Sequence, residues 1–135
     1  MIRFMLDTNL CVRVIRDRPA ALRPRFSAEA TSLSLSDVVL HELLYGAERS
    51  MRPTENRRVV EQFAGRLVVL PFDSDAAGHA ANIRHELEQR GQFIGPYDLL
   101  IAGHARSRGL VLITGNLGEF KRVDGLRSED WLASA

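Results

Sequence analysis

The apolar positions of this chain fall in short runs separated by longer amphipathic stretches. Ile2, Phe4, Met5 and Leu6 form the first run, which stops at Asp7-Thr8-Asn9. All three of these residues cap helices well, because a short side-chain oxygen can accept from a free backbone N–H of the first turn. The pattern therefore predicts a buried strand that turns directly into a helix. That helix carries Leu10, Val12, Val14 and Ile15 and ends near Pro19. A second short helix opens at Pro19 through Ala20, Ala21 and Leu22. Leu33-Ser34-Leu35 reads as a short strand. Ser36 caps a helix whose Val38, Val39, Leu40, Leu43 and Leu44 lie on one apolar face. Pro53 opens a helix through Val59, Val60 and Phe63, which stops at Gly65. Leu67-Val68-Val69-Leu70 reads as a buried strand, and Asp73 or Ser74 caps a long helix that closes at Gly91. Gly95-Pro96 forces a turn into a helix from Tyr97 to about Ser107, which ends at Gly109. Val111-Leu112-Ile113 is another strand, and a last one is expected near Leu126.

Short apolar strands alternating with amphipathic helices imply an α/β fold. The expected architecture is a central, mainly parallel, short-stranded sheet with helices on both faces. Nothing in the 135 residues suggests a linker or an internal repeat, so a single domain over 1–135 is expected. The early apolar run is too short for a signal peptide, and no run approaches a membrane span. A cytoplasmic protein without a membrane contact is the resulting expectation. Cys11 is the sole cysteine, which excludes an internal disulfide and a cysteine-built metal site.

The carboxylates change the picture. Ligands of open parallel sheets bind beyond the carboxyl ends of the strands. Asp7 directly follows the first strand, while Thr114, Asn116 and Glu119 follow the strand at 111–113. Both groups should share one sheet edge. Asp98 sits in the first turn of an otherwise apolar helix, where the helix dipole favours an acid. Glu42 lies beside Leu43 and Leu44, where burial of an acid needs a compensating cation or donor. Each acid alone also has a structural reading. Asp7 is a helix cap or turn residue, Asp98 a first-turn acid, Glu42 a partner for Arg49 or a solvent-facing base, and Glu119 an exposed loop or helix acid. Taken together, clustered carboxylates without cysteine select a hard divalent cation held through oxygen, and that chemistry suits phosphodiester hydrolysis. Net charge is only +1, but setting four acids aside leaves 13 acids against 18 bases. Many of those bases are arginines, including Arg13, Arg16, Arg18, Arg23 and Arg25. Such a set suits phosphate, and it equally suits a solvated surface.

Five segments, in order, carry a resemblance. They are Phe4-Met5-Leu6-Asp7-Thr8-Asn9, Glu42-Leu43-Leu44-Tyr45-Gly46-Ala47-Glu48, Ile94-Gly95-Pro96-Tyr97-Asp98, Ile101 through Leu110, and Thr114-Gly115-Asn116 with Glu119-Phe120. Gly125-Leu126 and Asp130-Trp131 follow. Over nearly the whole chain the sequence resembles the PIN-domain ribonucleases of the VapC toxin type, from bacterial toxin–antitoxin pairs. The resemblance implies an RNA-cutting enzyme that uses magnesium or manganese, with Asp7, Glu42, Asp98 and a fourth group within 114–119 as its metal-holding site. Many PIN domains carry an aspartate near position 116. Here that residue is the neutral Asn116, so Glu119 is the candidate fourth acid. Thr8 and Thr114 are expected to support the acids by hydrogen bonding, and Asn116 to do the same or to reach the metal through water. The Gly-Pro-Tyr-Asp and Gly-His-Ala-Arg-Ser-Arg pattern is similar to the branch that cleaves initiator tRNA in its anticodon stem-loop, which arrests translation. The resemblance also implies a VapB-type antitoxin partner, a homodimer, and a larger hetero-oligomer with antitoxin. Gln92-Phe93 departs from relatives that carry a basic residue and a proline there. No histidine is expected to ligate metal, and Trp131 is expected to anchor the C-terminal segment.

Other readings stay open on the residues alone: a DNA or structure-selective nuclease, a non-catalytic binding module of the same fold, and a phosphatase on a similar scaffold. The last lacks an Asp-x-Asp motif, since Asp7 is followed by Thr8-Asn9.

Overall fold

A computed structural model describes residues 1–132. Its sheet contains β1 (Phe4–Leu6), β2 (Leu33–Ser36), β3 (Val68–Leu70), β4 (Val111–Ile113) and β5 (Ser128–Glu129), ordered β3-β2-β1-β4-β5. Every pairing is parallel, with Phe4 opposite Leu33 on one side and Val111 on the other. The last strand lies just after the expected position near Leu126. Only two residues long and at an edge, it has little hydrophobic pattern to announce it.

The helices are α1 (Thr8–Asp17), α2 (Arg23–Ala28), α3 (Asp37–Glu48), α4 (Pro53–Ala64), α5 (Ser74–Gln89), α6 (Pro96–Ser107) and the single turn α7 (Leu117–Phe120). A short 3-10 turn, Ala20–Leu22, precedes α2. Capping follows the residue types. Asp7 Oδ1 accepts from Leu10 N–H at 2.9 Å, Ser36 Oγ from Val38 N–H at 3.1 Å, and Asp73 Oδ1 from Ala76 N–H at 3.0 Å. Helix α6 begins at Pro96, whose missing N–H costs nothing in a first turn.

All residues of β1 and β2 are buried, so these central strands read as continuous apolar or small-residue runs rather than alternating ones. Met5, Leu35, Leu112 and Ile113 form the middle of the core, covered by Val39, Ile83 and Ile101 from the helices. Trp131 is buried against Phe4 and Phe26, with ring centroids 5.0 and 6.2 Å away, and Arg25 lies over its ring. It anchors the end of the described chain.

Helices α5 and α6 approach closely at one point. A Cβ built on Gly103 would lie 2.6 Å from Ala80 N and 2.7 Å from its Cα. Glycine is required there by contact with backbone, since its own φ is not positive. By contrast, a Cβ at Gly78 on α5 meets nothing within 4 Å. Gly78→Ala should therefore be neutral or stabilise by up to about 1 kcal/mol through helix propensity, which thermal melting will measure.

Candidate active site

The chain leaves β1 toward β2 and β3, then returns to place β4 on the other side of β1. The switch point of the sheet is thus the crevice between the carboxyl ends of β1 and β4. Asp7 follows β1 there and Thr114 follows β4. They meet directly: the Thr114 hydroxyl donates to Asp7 Oδ2 at 2.5 Å. Asp7 is only 3% exposed, so capping α1 and facing Thr114 occur together in one side chain. Burial pushes its carboxyl above the ordinary range, opposed by the bonds from Thr114 and Leu10 and reinforced by the charges of Glu42 and Asp130.

Glu42 comes from the second turn of α3. The Thr8 hydroxyl donates to its Oε1 at 2.6 Å, joining the start of α1 to the middle of α3. The sequence-based pairing with Arg49 is not formed. Arg49 lies over the Tyr45 ring instead, 5.6 Å from its centroid, because an arginine four residues along the helix meets that face.

Asp98 sits in the first turn of α6 and Glu119 on α7. Glu119 is held at both oxygens: Gly95 N–H donates to Oε1 at 3.1 Å and Asn116 Nδ2 to Oε2 at 2.7 Å. Asn116 N–H in turn donates to Thr114 Oγ1 at 2.9 Å. A continuous polar chain thus runs from Asp7 through Thr114 and Asn116 to Glu119. Asp98 has its pKa pushed up to about 7, first by burial, then by a hydrogen bond with Glu119 and by the charges of Glu119, Asp7 and Glu42. The other three acids thus all act on Asp98, and Glu42 acts on Asp7 as well. Among the described residues, none of the ion pairs involves Asp7, Glu42, Asp98 or Glu119. No three of them stand in a ready-made metal-ligand arrangement, however. Asp7, Glu42 and Glu119 accept from hydroxyl and amide donors, and Asp98 is hydrogen-bonded to Glu119.

Two contributors escaped the sequence reading. The Gly95 amide acts through its backbone, which leaves no residue-type signal. Asp130 acts on Asp7 from just beyond β5. Placing that strand correctly would have found it by the same strand-end rule. The arginines of the first helices are largely engaged in exposed ion pairs, such as Arg13 and Arg16 with Asp17 and Arg25 with Glu129. Such pairs contribute little to stability.

This crevice, acid-lined at the switch point of a short parallel sheet, defines the class. The family model "PIN domain" matches residues 4–126. The chain belongs to the PIN-domain family, among the VapC ribonucleases. It is 50% identical to the "tRNA(fMet)-specific endonuclease VapC" of Shigella flexneri, covering 97% of this chain and 99% of that protein. It is 44% identical to "Ribonuclease VapC2" of Haemophilus influenzae, covering 98% and 100%. Its fold matches the DNA-bound VapBC structure from Salmonella typhimurium with a TM-score of 0.95, at 50% identity over 97% of this chain and 99% of that one.

Proposed function

We propose that this chain is the toxin of a toxin–antitoxin pair. In this reading it is a magnesium- or manganese-dependent endoribonuclease that cuts initiator tRNA in the anticodon stem-loop and stops translation. The single domain runs over 1–135. The observation that carries this reading is the convergence of Asp7, Glu42, Asp98 and Glu119 at the sheet switch point, none of them ion-paired among the described residues. The tRNA specificity is supported by the printed names of half-identical relatives from Shigella flexneri and Salmonella typhimurium. A VapB-type antitoxin partner is supported by the likeness to VapBC complexes.

The residues present fit a hard divalent ion. Their donors are all oxygen, and Asp98, raised first by burial and then by its bond with Glu119 and the charges of Glu119, Asp7 and Glu42, is a group whose ionised form a cation would favour. Asp7, Glu42, Asp98 and Glu119 would hold the ion. When bound, it supplies an activated water and a counter-charge for the phosphate. The remaining work belongs to the chain. Thr114 and the Leu10 amide fix Asp7, Thr8 fixes Glu42, and Asn116 with the Gly95 amide restrains Glu119. Each Glu119 oxygen accepts one of these bonds and keeps a further lone pair, so the carboxylate could ligate an ion while its orientation stays fixed.

The test is incubation of purified, antitoxin-free protein with total tRNA and magnesium or manganese, with EDTA and Asp98→Asn as controls. A discrete product from one tRNA, lost in both controls, is expected. Cleavage that persists in EDTA would remove the metal from the reaction. In the same system Glu119→Gln should weaken manganese binding more than Asn116→Ala, because it deletes a charge where the second change deletes only a donor. The reverse order in a calorimetric titration would move the fourth ligand to Asn116.

A further inference from the structure

Helices α3 and α6 carry Glu42 and Asp98, and they meet at more than the acids. His104 of α6 is fully buried, with Nδ1 2.7 Å from Ser36 Oγ, and Ser36 is also fully buried at the start of α3. The ring of His41 on α3 lies 5.8 Å from that of Tyr97 on α6. Position 36 thus meets 104, and 41 meets 97, so the two helices pass each other in opposite directions. Glu42 lies six residues beyond Ser36, and Asp98 six residues before His104. On each helix that is about 9 Å of rise.

Ser36 Oγ also accepts from Val38 N–H, and its hydroxyl and His104 Nδ1 share one hydrogen bond whose donor is set by the imidazole tautomer. Nε2 has no hydrogen-bond partner among the described residues, and the Pro71 carbonyl acts on the ring from the backbone. Phe72 packs edge-on against the ring, 5.5 Å between centroids. Asp37 of α3, Asp73 ahead of α5 and Arg108 after α6 are the charges acting on it, and burial holds its pKa below the ordinary value. A buried polar bond between helices that are otherwise apolar at this point specifies one relative position, whereas apolar contact tolerates sliding.

We propose that His104 is a positioning residue: its buried bond to Ser36 sets the register of α3 against α6 and thereby the spacing of Glu42 and Asp98. This rests on the proposed metal site for its consequence but not for its geometry. Two readouts keep them apart. The first is the distance distribution between spin labels at Glu48→Cys on α3 and Arg108→Cys after α6. The second is manganese affinity by calorimetry. His104→Leu removes the bonding nitrogen while filling much of the space. His104→Asn restores a hydrogen-bonding amide near the position of Nδ1. Ser36→Ala removes the hydroxyl and serves if His104→Leu does not fold. The expected result is a broadened or shifted distance and manganese affinity at least tenfold weaker in His104→Leu and in Ser36→Ala, with both largely recovered in His104→Asn. An unchanged distance in a folded His104→Leu or Ser36→Ala overturns the proposal, as does equal impairment in Asn and Leu, which would make the residue packing alone. If the distance responds but the wild-type protein binds no manganese, the register role stands and the metal reading fails.

Discussion

Replacement of Asp98 by Asn is expected to reduce RNA cleavage by about a thousandfold or more, the scale of losing one fixed electrostatic group from a preorganised site, roughly 4 kcal/mol. The same change should make the metal-free protein more stable at neutral and higher pH. Asp98 titrates near 7 in the fold against 3.8 ordinarily, so between those values the native state holds a proton that the unfolded chain releases. Its contribution to stability is present at the acidic end and is lost as pH rises through about 7. Asp7, also raised, acts in the same direction. His104 acts in the opposite one: its lowered pKa costs stability as pH falls through its ordinary 6.5. The difference between wild type and Asp98→Asn isolates the aspartate. Melting in EDTA from about pH 5 to about pH 8 should show the variant gaining on wild type as pH rises. Equal pH slopes would mean that neither burial nor the neighbouring acids raise Asp98 in the fold. With the proposed metal site, manganese should reverse the ranking, because an ion held by ionised Asp98 would stabilise the native state and displace its proton. Asp7→Asn should abolish cleavage similarly with little effect on the fold, since an asparagine oxygen still accepts from one of the two donors that hold Asp7.

Gly103→Ala carries the largest expected effect on stability. Its methyl would stand 2.6–2.8 Å from the N, Cα and Cβ of Ala80, and backbone cannot step aside as a flexible side chain can. Overpacking of this kind costs about 3 kcal/mol, and the alanine recovers about 1 kcal/mol of helix propensity. A net loss of about 2 kcal/mol should lower the melting temperature by roughly 5–10 °C. The distortion also pushes α6, and with it Asp98 five residues earlier, so manganese affinity should fall in the folded fraction. A melting temperature equal to that of wild type would show that α5 and α6 separate without cost.

The two halves of this protein's organisation became legible in different ways. Helices and strands were readable because their signals are local. Asp7, Ser36 and Asp73 cap helices within three residues of themselves, and runs such as 33–35 and 111–113 are short, apolar and bounded by polar residues. The strand-end rule also placed Asp7 and the 114–119 segment on one edge before any contact was known. The two-residue β5 and Asp130 beyond it had no such local pattern.

What the sequence determined by itself, then, was the inventory: the alternating α/β elements, the acids stationed after strands or in first turns, and a single cysteine. Tertiary structure decided the pairings. Only the strand order, with β4 beside β1, brings Thr114 to Asp7 across 107 positions of sequence. Only helix packing gives Glu42 to Thr8 rather than Arg49, Glu119 to the Gly95 amide, and His104 to Ser36. These are choices among several chemically acceptable partners. They are made by the shape of the packed core and by the cost of leaving buried polar atoms unbonded, neither of which is a property of any local stretch of chain.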